Sequence, residues 1–112
     1  MADCLFCRII AGEIPADVVA ETESALAFRD VNPQAPLHVL VVPRAHVANA
    51  AELADTDPAT VAELVRVARQ VAVDAGYENY RTVFNTGEEA GQSVFHAHLH
   101  VLAGRRLAWP PG

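Results

Sequence analysis

The 112-residue sequence predicts an α+β domain, and three stretches carry that expectation. Residues 96–102 alternate His96, His98 and His100 with Ala97, Leu99 and Val101, the period of a strand with two unlike faces. A helix there would turn about 200° for every two residues and scatter the imidazoles. Leu37 to Val42 is an almost unbroken apolar run ended by Pro43, as a buried central strand would be. Between these two stretches, Asp57 to Gly76 repeats apolar residues at spacings of three and four, the stripe of a packed helix.

Composition sets the bounds. With 52% hydrophobic and 20% charged residues the chain reads as one globular domain spanning 1–112. A formal charge of −6 argues against a nucleic-acid polymer as partner, but a local pocket can still take a small anion. No apolar run reaches membrane-spanning length and the N-terminus lacks a signal-peptide pattern, so a cytoplasmic location without a membrane partner is expected. The two cysteines, Cys4 and Cys7, fit that compartment as reduced thiols or metal ligands better than as a disulfide.

In chain order, Cys4 to Ala11 reads as a short helix stopped at Gly12. Asp17 to Thr22 and Ala25 to Arg29 read as a hairpin around Glu23-Ser24, with Asp30 at the strand end. That carboxylate suits either a turn cap or an acceptor for two vicinal hydroxyls. His38 interrupts the strand 37–42, and a helix starting near Arg44 would carry His46. The long helix takes Asp57 as N-cap and Pro58 at its first position, and Gly76 ends it. Its stripe is Val61, Leu64, Val65, Ala68, Val71, Ala72 and Ala75, which would pack on the sheet or on a second subunit. Arg81 to Asn85 is a further strand. The tail Trp109-Pro110-Pro111-Gly112 cannot extend a sheet, because two of its residues lack N–H donors.

The histidine row is where chemistry is expected. All five histidines fall within 38–46 or 96–100, which argues against chance. On a strand, His96, His98 and His100 would share one face with rings roughly 7 Å apart. The polar turn Gly91-Gln92-Ser93 leads into it, and its amides and the Ser93 hydroxyl could meet an anion whose central atom the imidazoles approach.

His96-Ala97-His98-Leu99-His100-Val101-Leu102 resembles the signature of the histidine triad (HIT) superfamily of nucleotide hydrolases and transferases. Cys4 to Ile10, Glu13-Ile14-Pro15, Ala27 to Val31, Pro36 to His46 and the closing Trp109 to Gly112 extend the likeness over nearly the whole chain. The tail is similar to that of the histidine triad nucleotide-binding, or adenosine phosphoramidase, branch. The resemblance implies a mostly antiparallel five-stranded sheet with packed helices, and a homodimer whose tails lie near the partner's active site. It implies a purine pocket lined by Phe6, Ile9 and Ile14, with Phe28, Arg29 and Val31 flanking the nucleoside and Asp30 on the ribose. It places His38 beside the triad, and Trp109 with the substrate.

The activity so implied is cleavage of the P–N bond of a purine nucleoside 5′-phosphoramidate. His98 would be the nucleophile and form a nucleotidyl-histidine that water then cleaves. His100 would bind the phosphate and Ser93 would contact the leaving nitrogen. Asn85 and the turn Gly91, Gln92, Ser93 and Val94 would stabilise charge on phosphorus. No cofactor is needed for this chemistry. Two other readings remain open, a dinucleoside polyphosphate hydrolase and a non-catalytic purine nucleotide-binding module. A zinc hydrolase using the row as ligands is a third, though the Gly-Gln-Ser turn would then have no purpose. Separately, Cys4 and Cys7 are either two free thiols or half of a structural zinc site. Bacterial relatives that bind zinc there complete it with the residues that are His46 and His96 here.

Overall fold

A computed structural model describes residues 3–112 and forms an α+β fold; residues 1 and 2 of the expected 1–112 domain lie outside the described part. The strands are β1 (Val18–Glu21), β2 (Ala25–Arg29), β3 (Leu37–Pro43), β4 (Arg81–Phe84) and β5 (Leu99–Ala103). They make one sheet in the order β1-β2-β3-β5-β4, and every pairing is antiparallel. Among the described residues three α-helices accompany it, α1 (Leu5–Ile10), α2 (Ala50–Thr56) and α3 (Pro58–Asp74), with a short 3-10 turn at Glu88–Ala90.

Strand β3 is central and is buried along its whole length, because the sheet is covered on both faces. Leu37, Val39 and Val41 of β3 and Leu99, Val101 and Ala103 of β5 pack with Leu64, Val67, Ala68, Val71 and Ala72 of α3. The alternate residues Leu26, Phe28, Leu40 and Val42 pack with Phe6 of α1 on the other face. His38 and His100 lie in that second register, one residue out of phase with the α3 core. Register therefore delivers the histidines to the α1 side.

Local chemistry explains the helix limits. The Asp57 carboxylate accepts from the Thr60 N–H at 3.2 Å and from the Thr60 hydroxyl at 2.6 Å, and Pro58 sits at the first position of α3. Gly76 ends the helix at φ +88°, a conformation that disfavours other residues. No helix among the described residues is long and apolar enough to cross a membrane.

Three expectations are corrected. His46 lies in a loop and not in a helix, because the next helix starts only where the Asn49 side chain accepts from the Glu52 N–H at 2.9 Å. The α3 stripe is rotated, with Thr60 and Val67 buried and Val65 52% exposed. Strand β5 begins at Leu99, so His96 and His98 precede it. There Ala97 N–H donates to Val47 O at 2.7 Å, and the chain bends at 94–96 before it joins β3.

Candidate functional site

The expected row of three histidines divides into two. His98 and His100 face a cavity of about 660 Å³, and His96 does not line it. The cavity is floored by Phe6, Phe28 and Leu40, with Ile9 and Ile14 on one side and Arg29, Asp30 and Val31 on another. Ser93 and Val94 also line it. The rings of His98 and His100 are 5.0 Å apart, closer than an ideal strand predicts, because His98 stands before β5.

Hydrogen bonds fix the tautomer of each ring. His98 Nδ1 is 2.8 Å from the carbonyl oxygen of His96, which can only accept, so Nδ1 carries the proton and Nε2 keeps its lone pair. His38 Nδ1 accepts from the Gln34 main-chain N–H at 3.0 Å, so its proton is on Nε2. That Nε2–H donates to His100 Nδ1 at 2.9 Å, which leaves His100 with a donor N–H at Nε2. One ring thus offers a lone pair and its neighbour a proton. Burial pushes the pKa of His100 down from the ordinary 6.5 to about 4, and His98 and His38 add to this against the opposing charge of Asp30. His38 is also lowered, chiefly by burial. Both rings are neutral at physiological pH.

Asp30 caps the turn with one carboxylate oxygen and turns the other towards His38. Its Oδ1 accepts from the Asn32 N–H at 2.8 Å and caps the turn. Its Oδ2 lies 3.4 Å from His38 Nε2 at the cavity wall. Arg29 is engaged by Asp17 at 3.1 Å, so its charge is partly balanced at the rim.

Other expected site residues stand behind the cavity. The Gln92 side chain is buried and ties the loop together, donating to Ala48 O and Val94 O and accepting from Gly87 N–H. The amides of Gly91 and Gln92 are bonded to Glu88 O and Gly87 O. The turn therefore has its Ser93 and Val94 amides, not those before them, to offer an anion. Gly91 adopts φ +96°, with the Asn85 side chain beside it, and Asn85 does not line the cavity. Trp109 is 84% exposed and does not line the cavity. Sequence reading missed Leu5, Pro15, Ala16, Asp17 and Leu40 as lining residues. Leu40 was accessible from the period of β3, which puts it on the face of His38, and Asp17 from the hairpin register, which sets it opposite Arg29.

His96 belongs to a second cluster with Cys4, Cys7 and His46. Its ring is fully buried, and Nε2–H donates to Pro43 O at 2.8 Å, so Nδ1 presents its one lone pair. Cys4 Sγ and Cys7 Sγ approach that same lone pair at 3.4 and 3.6 Å, and Cys7 Sγ is 3.4 Å from His46 Nδ1. A single lone pair cannot accept two thiol protons well, whereas a shared cation satisfies all four groups. Zinc bonds of about 2.3 Å to sulfur and 2.0 Å to nitrogen give a tetrahedral S–N edge of about 3.5 Å, which these separations match. The donor set fits zinc. Burial, and then the Cys4 thiol beside it, raise the Cys7 pKa, so metal uptake must release protons.

Asp30, His38 and His100 also lie close enough together to hold an ion. Their tautomers speak against it. The Gln34 N–H occupies the His38 Nδ1 lone pair and fixes the proton on Nε2, so no lone pair of that ring faces the group.

A family model described as HIT domain matches residues 11–107. An uncharacterized HIT-like protein of Synechococcus elongatus is 50% identical over 111 residues, 98% of this chain and 97% of the relative. The structure is similar to that of a HIT family hydrolase from Legionella pneumophila, with a TM-score of 0.94 and 46% identity over 98% of this chain and 100% of that one. It is also similar to a HIT family hydrolase from Clostridium thermocellum, with a TM-score of 0.93 and 38% identity over 96% of each chain.

Proposed function

The chain belongs to the HIT domain family, and from that membership we propose that it is a hydrolase acting at the α-phosphorus of a purine nucleoside 5′-phosphoramidate. The observation that carries this reading is the complementary tautomer pair, a lone pair on His98 Nε2 beside an N–H on His100 Nε2. Relatives named as hydrolases support the reaction class. The choice of the phosphoramidase branch over a dinucleoside polyphosphate hydrolase rests on the resemblance of Trp109-Pro110-Pro111-Gly112.

In this mechanism the purine lies against Phe6, Ile9, Ile14 and Phe28, and Asp30 Oδ2 accepts from the ribose. The His98 Nε2 lone pair forms a bond to phosphorus as the P–N bond breaks. The leaving nitrogen takes the Ser93 hydroxyl proton, departs as a neutral amine, and Ser93 recovers a proton from solvent. Positive charge arising on the His98 ring is stabilised by its Nδ1–H bond to His96 O. His100 Nε2–H and the Ser93 and Val94 amides bind the phosphoryl oxygens. Water then attacks phosphorus and gives its proton to solvent as the bond to His98 breaks, so that the ring returns as neutral imidazole and the monophosphate leaves.

Cys4, Cys7, His46 and His96 would hold zinc, which supplies a structural crosslink and takes no part in the reaction. A second copy of the chain would cover the exposed Val65 face of α3 and bring Trp109 to the neighbouring site, which sedimentation would reveal as a dimer. The functional test is direct. Purified protein given adenosine 5′-phosphoramidate should release AMP and ammonia, with diadenosine polyphosphates cleaved more slowly. AMP binding without turnover of either substrate would leave only the nucleotide-binding reading.

A further inference from the structure

Helix α1 belongs to both clusters at once. Six residues are too few to hold a helix in water, and Phe6 is the only fully buried residue among them. Ile9 and Ile10 add partly buried contacts at its far end, and its first turn is tied down by the pair of cysteines, with Cys4 capping the helix and Cys7 one turn later, both sulfurs directed at His96 Nδ1. The same helix presents Leu5, Phe6 and Ile9 to the cavity. Phe6, placed between the cysteines, meets the His98 ring edge-on at 5.0 Å, the His96 ring at 5.9 Å and Phe28 at 5.5 Å. A second connection runs through the main chain, since His96 turns its ring to the sulfurs and its carbonyl to His98 Nδ1–H.

We propose that a tetrahedral cation at Cys4, Cys7, His46 and His96 and a nucleoside monophosphate in the cavity promote one another's binding through Phe6 and the His96 main chain. This rests on the nucleotide reading above. The cation fixes both ends of the first turn of α1 to the body of the protein. A cavity wall ordered in advance no longer loses its freedom when the nucleotide arrives, so the nucleotide binds more tightly. The effect is reciprocal by thermodynamic necessity.

The test uses the full chain, zinc-loaded and chelator-stripped, with AMP titrated calorimetrically and zinc content measured. AMP should bind about tenfold more weakly to the stripped protein, within the usual range of such couplings. Zinc affinity, measured against a chromophoric chelator, should rise by the same factor when AMP is saturating. Phe6→Leu keeps an apolar residue but removes the ring, and should bring that factor towards one while zinc still binds. His46→Gln retains three ligands, and AMP affinity should follow zinc occupancy as zinc is added back. Where the stripped protein fails to fold, the AMP-dependent rise in zinc affinity is compared between wild type and Phe6→Leu, and an equal rise in both overturns the proposed route. Equal AMP affinity with and without zinc overturns the coupling and leaves the nucleotide reading standing, as does a failure to bind zinc. No AMP binding in either form overturns both.

Discussion

His96 and His98 stand two residues apart, yet one ring ends among sulfurs and the other in a cavity, with Phe6 packed between them. The two rings are pinned by carbonyl oxygens at the same 2.8 Å, but through opposite nitrogens. His96 gives its Nε2–H to Pro43 O and aims Nδ1 at Cys4 and Cys7. His98 gives its Nδ1–H to His96 O and aims Nε2 at the cavity. Residue type alone does not decide which of the two rings suits a metal and which suits attack on phosphorus. The position of one main-chain acceptor does, by choosing which nitrogen keeps its lone pair.

Removing the aimed lone pair on the cavity side should have the largest effect. His98→Ala should lose at least about 10³-fold in kcat, in the manner of a deleted nucleophile, while AMP binding persists by calorimetry. Substantial residual turnover would dissolve the distinction between the two rings. A smaller loss tests the neighbouring ring. His38→Phe removes the donor to His100 Nδ1 and frees that tautomer, and kcat should fall about tenfold to a hundredfold with KM little changed. An unchanged kcat would mean that the Gln34–His38–His100 chain of hydrogen bonds has no role in positioning.

Much of this architecture is legible in the sequence because its signals are local. Asp57, Pro58 and Gly76 bound α3 through contacts within a turn of themselves, and the Leu37–Val42 run is apolar because both sheet faces are covered. Asp30 at a strand end and Phe6, Ile9 and Ile14 follow from the resemblance, and the cavity collects them. The separation of His96 from His98 is not legible. It depends on Pro43 O and Val47 O, about fifty residues away in sequence, which bend the chain at 94–96 out of the ladder. Gln92 reads as a polar turn residue, and only the folded chain shows its amide buried against Ala48 O. The helix expected to carry His46 starts later, at the Asn49 cap, which is a weak signal in an alanine-rich stretch.

The sulfur side has its own test. Chelation should lower Tm by at least about 5 °C, the shift that roughly 1 kcal/mol produces in a domain of this size, while kcat at saturating substrate changes little. Loss of turnover with no change in Tm would point instead to a catalytic metal.

The most modest expected effect concerns protons. His100 has a pKa of about 4 when folded against 6.5 ordinarily, so between these values the unfolded chain binds more protons than the folded one. Stability should therefore rise as pH increases from about 4 to 6.5 and be lost on acidification through that window. His38 adds in the same direction. His100→Gln should flatten the part of the Tm–pH profile that belongs to this ring. An unaltered slope would show that His100 is not held neutral by burial.

By accepting the Nδ1–H hydrogen bond of His98, the main chain of His96 leaves Nε2 as the atom to attack in the proposed reaction. Rapid acid-free quenching of a phosphoramidate reaction, followed by peptide mass spectrometry and phosphorus NMR of the adduct, reads this directly. The expected product is a nucleotidyl group on His98, bonded through Nε2. An adduct on Nδ1 of that ring, or on His96 or His100, would contradict it.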